Sequence, residues 1–588
     1  MNKQEADILK VLYDKGYINQ RQLAYDSRYS VGIVNKSLKS LQFSGYISSE
    51  CILTTKAYKE FEDKKIKNAI ILAAGYGMRM VPINMETPKA LLEINGEPLI
   101  ERIIKQLHEV DVQKIYVIVG FMKESFEYLI DEYDVELVCN DMYSSKNNLH
   151  SLNLVADKLS NTYVIPSDIW FESNPFAKFE LYSWYMVNDI VGDESSVRIN
   201  RKMELIRIND EQAGNEMVGV ACLLEEQSRI VEKKLKEYDV KRKYNDSFWE
   251  EALYEDNKMI LMAKVVLSSE VAEINTYEQL RDIDENSVQL KTQATSIIQD
   301  VLNVSLSDIN NITVLKKGMT NRSFLFTCKN KKYIMRIPGE GTDSLINRKE
   351  EAEVYKQIKN KNICDDIIYI NPDNGYKITE YYENARVCNS KCESDLFECM
   401  SKLREMHNMN LKVNHEFNIF EQIDFYEKLW NGNKSVYKDY EDTKQNVFLL
   451  KKYIEKNIKN KCLTHIDAVP DNFLFVTENN GETHIKLIDW EYAGMQDPHV
   501  DIAMFCIYSF YNRAEIDRLI DIYFENNCDE RTRIKIYCYI SACGLLWSNW
   551  CEYKRSLGVE FGEYSIKQYR YAKEFYRIAK DCIEKLEN

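Results

Sequence analysis

A chain of 588 residues is too long for one hydrophobic core and implies three or four domains. A hydrophobic share of 45% and a charged share of 29% are ordinary for globular proteins, and a net charge of −16 excludes a general nucleic-acid coat while leaving room for a small basic face. No apolar run reaches membrane-span length, Met1-Asn-Lys-Gln-Glu is too polar for a signal peptide, and 15 cysteines without any Cys-x-x-Cys argue against zinc and for reduced thiols in the cytoplasm.

In chain order, residues 1–62 predict a small helical module with a hairpin. Ala6, Ile8, Leu9, Val11 and Leu12 give a first amphipathic helix. Asn19 or Gln20 opens a second through Leu23 and Ala24, and Ser30 caps a third carrying Val31, Val34, Leu38 and Leu41. Gly45 to Thr55 reads as two short strands. This order resembles a winged helix-turn-helix, in which Arg28, Lys36 and Lys39 can face DNA phosphates. A protein-contact or dimerisation module fits the same pattern.

Residues 66–287 alternate strands and helices, as a doubly wound, Rossmann-like α/β nucleotidyltransferase domain does. Its first strand, Ala69 to Leu72, is an apolar run without alternation, suited to an inner parallel strand. Ala73, Ala74, Gly75 and Gly77 then strip the chain of bulk where a phosphate can approach the backbone, with Leu72 before them assigned to the nucleotide and Arg79 and the Lys89 of Thr87-Pro-Lys89 supplying charge. Together they signal a nucleoside triphosphate site. The strands Lys114–Gly120, 135–139 and 162–168 follow, and the last ends on Asp168. A carboxylate at such a strand end is a hard oxygen ligand for Mg²⁺ or, failing that, a helix N-cap.

Leu72-Ala-Ala-Gly-Tyr-Gly-Met-Arg79 with Thr87-Pro-Lys89 resembles the sugar-nucleotide and choline cytidylyltransferase superfamily. Asn140 to Ser151, Asp246 to Glu251 and Glu273-Ile-Asn-Thr-Tyr-Glu-Gln-Leu resemble the bacterial phosphocholine cytidylyltransferases. The resemblance implies that Gly75, Gly77, Arg79 and Lys89 hold the triphosphate. It implies that Asn147, Asn148 and Ser151 line the acceptor side, and that Asp168 binds Mg²⁺ with Glu250 where the family usually has Asp. Met78 and Pro166 depart from the family pattern. Trp249 is placed either to stack on a quaternary ammonium or in the core.

Residues 285–295 read as a polar linker, and residues 296–588 as a second enzyme. His465-Ile-Asp-Ala-Val-Pro-Asp-Asn-Phe473 puts a base, Asp467, and a metal ligand, Asn472, on one loop, and Asp489 follows a short apolar strand. That is the layout of kinase phosphoryl transfer. Upstream, Lys316 to Phe326 is a turn that covers phosphates, with Thr320 and Asn321 assigned to the nucleotide. Arg336 stands where kinases usually carry Lys, and Glu351 pairs with it, Glu350 and Glu353 being rivals. Lys377 to Tyr382, with Glu380 and Tyr382, fits a hinge that meets adenine.

This half resembles the choline/ethanolamine kinases and their aminoglycoside phosphotransferase relatives. A trimethylammonium has no N–H to donate, so it must be held by aromatic faces and carboxylates. Trp547 and Trp550, one helical turn apart, with Tyr564 or Tyr569 and the Glu491 of Asp489-Trp-Glu-Tyr-Ala-Gly494, are the candidates. The expectation is a cytoplasmic bifunctional enzyme that takes choline and ATP, then phosphocholine and CTP, with Mg²⁺, to CDP-choline. Its rivals are the same chemistry on ethanolamine or another amino alcohol, a sugar-phosphate nucleotidyltransferase fused to a small-molecule kinase, and a ligand-sensing transcription regulator.

Overall fold

In the computed structural model, which describes every residue except 194, 210–211, 316–320, 340–341, 343–344, 479–480, 558, 560 and 588, the first three helices each begin on a side-chain cap. Asn2 caps α1 (Lys3–Lys15), Asn19 caps α2 (Gln20–Ser27) and Ser30 caps α3 (Val31–Phe43). The two strands expected after α3 shrink to one antiparallel bridge, Ile47 to Leu53. Thr54 instead caps a fourth helix, α4 (Thr55–Asp63), whose Ala57 and Phe61 are buried one turn apart. Phe61 packs with Tyr13 and with Phe179, and the hydrophobic cluster of this module takes in Phe179 and Leu181. Lys10 reaches the buried Glu180 at 3.0 Å, and Tyr182 donates to Asp7 at 2.8 Å.

The chain divides into two compact units, Met1–Thr292 and Gln293–Asn588. In the first, β1 (Asn68–Ala73) is buried at every residue, which is why it reads as unbroken apolar sequence. It pairs in parallel with Ile115–Val119 on one side and Thr162–Pro166 on the other, and Glu136–Cys139 continues the parallel run beyond Ile115–Val119. The winding therefore reverses at β1, and an open α/β sheet has its ligand crevice at such a point. Gly214–Leu223 pairs antiparallel with Thr162–Pro166 and extends the sheet to ten strands. The stretch read as a linker is partly pinned: Tyr277 donates to the Leu290 carbonyl at 2.8 Å, and the Gln289 side chain accepts from the Glu93 amide.

The second unit is a protein-kinase-like fold. A five-stranded antiparallel sheet runs in the order Asn310–Val314, Asn321–Cys328, Lys331–Pro338, Lys377–Glu380, Ile367–Ile370, with the helix Arg348–Ile358 inserted after the third. A helical lobe follows, built on the long helices Glu530–Ser556 and Glu563–Glu587. Among the described residues no helix is long and apolar enough to cross a membrane.

Candidate active sites

The glycine loop leaves the C-terminal end of β1. Gly77 has φ +61°, which favours glycine, and a Cβ there would press on the Lys89 Cβ at 3.3 Å. A Cβ on Gly120, at the end of the neighbouring strand, would meet the Ala74 carbonyl at 2.9 Å. Lys89 donates to Asp168 and, at 2.7 Å, to Asn275 Oδ1, where Arg79 also arrives at 3.1 Å. The antiparallel pairing of Ile169–Phe171 with Val271–Glu273 brings this about, and the Ile274 amide donates to the Asp168 carbonyl. Burial and the neighbouring Asp168 raise the Glu273 acid above the usual range. Arg79, Lys89, Asp168, Glu273 and Asn275 thus gather at one crevice.

Glu250 stands at the edge of that group: its hydrogen bond goes to Tyr185, and the Glu273 charge acts on it. The turn Trp249–Leu253 points inward, and Glu250 is half-buried where Tyr185 donates to one oxygen at 3.0 Å and the other has no partner. Burial pushes its acid up to about 7. The residues beside Asp168 are Glu273 and Asn275, which lie in the stretch whose resemblance was noted but to which no role was given. Trp249 is 1% exposed and packs on Tyr185, so its ring is core and not a free stacking face. Asn147, Asn148 and Ser151 fasten the loop instead of standing open. Asn147 donates to the Asp246 carbonyl, Asn148 accepts from the Trp249 amide at 2.8 Å, and the buried Ser151 accepts from Asn140.

In the second unit Arg336 and Glu351 meet through two parallel hydrogen bonds, the second of 2.8 Å. Burial opposes ionisation of Glu351, but the Arg336 guanidinium overrides it and holds the acid at about 2. Of the rivals, Glu353 accepts from Asn414, and Glu350 lies half-buried in the first turn of the helix without reaching Arg336. Arg348, unassigned in the sequence, joins Glu351 at 3.1 Å and Glu491 at 3.5 Å, and Asn321 donates to Glu491 at 2.9 Å. Thr320 lies outside the described residues. Glu380 pairs outward with Lys331, and the Tyr382 hydroxyl is bound to Asp366, so any adenine contact there falls to backbone groups.

Asp467 sits on a loop held from behind. Ile466 has φ +70° and Asp489 φ +66°, conformations unfavourable for these side chains. The buried Asp501 accepts from the amides of Ile466 (2.8 Å) and His465 (3.1 Å) and pairs with His407. Asn472 donates to the Asp467 carbonyl and carboxylate, at 2.8 and 3.0 Å, which leaves its own oxygen to face a cation. Burial, then Asp489 and Glu491, push Asp467 up to about 8. Buried carboxylates that raise one another in this way, next to a side-chain amide, are a donor set suited to a hard cation.

Trp547 and Trp550 are 5.5 Å apart at 78°, with Tyr492 edge-on to the first and Phe561 beside the second. Of the two tyrosines, Tyr564 is close enough for Asp467 to act on its phenol. Tyr569 stacks on Tyr437 and hydrogen bonds to Asp439, away from this group.

Comparison with known proteins finds two families along the chain. The choline/ethanolamine kinase family matches residues 312–542, and the MobA-like NTP transferase domain matches residues 69–177. The chain is 42% identical over 151 residues to a choline-phosphate cytidylyltransferase of Streptococcus pneumoniae, covering 22% of this chain and 66% of that protein. It is 31% identical over 188 residues to the choline-phosphate cytidylyltransferase of Haemophilus influenzae, covering 31% of this chain and 81% of the relative. It is 28% identical over 264 residues to Protein LicA of Haemophilus influenzae, covering 42% of this chain and 96% of the relative.

Proposed function

The chain belongs to the choline-phosphate cytidylyltransferase family through its central region and carries a choline/ethanolamine kinase domain behind it, and from that premise we propose that it makes CDP-choline in two steps. The second unit phosphorylates choline with ATP. The first joins phosphocholine to CTP and releases pyrophosphate. The observation that carries this reading is the pairing of the two sites in one chain, because the product of one chemistry is the substrate of the other.

In the kinase step the choline oxygen attacks the γ-phosphorus of ATP and ADP leaves, while Asp467 accepts the hydroxyl proton. Arg336, locked to Glu351, presents its remaining charge to the phosphates. In the transfer step a phosphocholine phosphate oxygen attacks the α-phosphorus of CTP. Arg79 and Lys89 neutralise the charge that collects on the leaving pyrophosphate. Mg²⁺ supplies charge neutralisation on the phosphate oxygens when bound. Asn472 and Asp489 would hold it in the kinase, and Asp168 with Glu273 and Asn275 in the transferase. Glu250, half-buried beneath Tyr185 and near enough for the Glu273 charge to raise its acid, stays a candidate for the same cation.

Residues 1–62 add a contact surface. Arg28, Lys36 and Lys39 are exposed on α3 and at the end of α2, where DNA phosphates or a protein can meet them. A gel shift of the full chain on its upstream promoter DNA at low salt separates the two, since no shift removes DNA.

The central test is product analysis by mass spectrometry with choline, ATP, CTP and Mg²⁺. Phosphocholine and then CDP-choline are expected. No phosphocholine would refute the reading, and turnover of ethanolamine in preference to choline would replace the substrate but keep the chemistry.

A further inference from the structure

Lys554 is a buried cation that the two-step chemistry leaves unused. It lies one turn beyond Trp550 on the helix Glu530–Ser556, so positions 547, 550 and 554 share a face. It is 8% exposed, and its ammonium lies 5.7 Å from the centre of the Trp550 ring. The nearby Glu552 is taken by Ser435 and by the Val436 amide, and among the described residues no carboxylate forms an ion pair with Lys554. The carboxylate that acts on it from farther off is Glu491.

A side chain covered this far costs its ammonium part of its hydration, and no paired carboxylate offsets that loss among the described residues. Lys554 is two residues from the end of its helix, within reach of the surface, and still turns inward. What it finds there is an aromatic face with a carboxylate acting across it. Those are the two features that recognise a quaternary ammonium.

We propose that the Lys554 ammonium occupies the seat of the cationic substrate, over Trp550, and that it must swing out before the substrate enters. This rests on the choline-kinase reading of the second unit. Lys554 is then a specificity-determining residue: it sets a threshold that a cation must exceed to be held, without touching the phosphoryl transfer at Asp467.

The test measures choline KM, ATP KM and kcat for the full chain and for Lys554→Met, Lys554→Gln and Lys554→Arg, with calorimetric titration of choline as a second readout. Met and Gln remove the competing charge and keep most of the side chain. The choline KM is expected to fall about tenfold in both, with ATP KM unmoved and the choline dissociation constant falling in parallel. Arg keeps the charge and is expected to keep the high choline KM. Met and Gln variants that melt with the wild type and show an unchanged or raised choline KM overturn the proposal. A raised value would mean that the ammonium helps hold the substrate. If the wild-type chain forms no phosphocholine, the kinase reading falls and takes this with it. If it forms phosphocholine while the variant KM values stay put, this proposal alone falls.

Discussion

Asp467 and Glu250 are both carboxyl groups whose pKa is raised, yet they carry different consequences. Asp467 shares its surroundings with Asp489, Glu491 and Asn472, so its state is bound up with the nucleotide and cation. Replacing Asp467 by Asn keeps the shape and removes the proton acceptor. Kinase kcat should fall by about 10²–10⁴-fold, while CDP-choline formation from added phosphocholine and CTP continues unchanged. Loss of both activities would show that the two sites are not independent. Glu250 is half-buried beneath Tyr185 and titrates at about 7 in the folded protein, against 4.5 for the free side chain. Between these values the folded chain keeps a proton that the unfolded chain gives up. Stability therefore falls as pH rises across that window, by up to about 3 kcal/mol above pH 7. Glu250→Gln keeps an acceptor for the Tyr185 hydroxyl and removes the ionisation. Thermal melts should show the variant equal to wild type near pH 5 and more stable at pH 8. A variant that is less stable at pH 8 would place a paired, ionised carboxylate at this position.

At the scale of elements, the kinase loop shows why a catalytic segment needs a support outside its own sequence. Ile466 is β-branched and held at φ +70°, a conformation of order 1–3 kcal/mol above its preferred one. The helix that starts at His499 brings Asp501 under the loop, and its two oxygens take the amides of His465 and Ile466. Asp501→Ala leaves both buried amides without partners, at about 1–3 kcal/mol each, and lets Ile466 relax. The expected outcome is a lower melting temperature for the second unit and a kcat loss larger than the change in ATP KM, with Asp501→Asn milder because its carbonyl still accepts. An Ala variant with wild-type kcat would mean that the loop holds its own shape. Elsewhere, the sequence predicts two strands up to Thr55 and assigns no element to the residues after it that form α4. Thr54-Thr55 suits a strand locally, and the helix is decided by the Thr54 cap and by the burial of Ala57 and Phe61 against Phe179. No local pattern reports a partner more than 100 residues away.

At the scale of the molecule, the N-terminal helices are joined to the transferase core. Phe179 and Leu181 lie in their hydrophobic cluster, and Glu180, 3% exposed, is held ionised against its burial by Lys10 and Lys264. Deleting residues 2–62 uncovers those apolar side chains and removes one partner of a buried carboxylate. The shortened chain should lose soluble cytidylyltransferase activity and retain choline kinase activity. A soluble deletion variant with full transferase activity would show that the shared cluster contributes little. Much was legible beforehand. The buried strand with its glycine loop, the Asp467–Asn472–Asp489 spacing and the tryptophan pair are short-range patterns whose residue types the chemistry demands, and they sufficed for both fold classes and both activities. What only the tertiary structure decided are the pairings made across the fold: Asn275 with Arg79 and Lys89, Glu351 rather than its neighbours with Arg336, Asp501 under the loop, and Tyr185 over Glu250. Sequence spacing determines which residues share a loop or a helix face. Which distant carboxylate meets which cation depends on how sheets and helices pack, and that is set by the burial of the whole core.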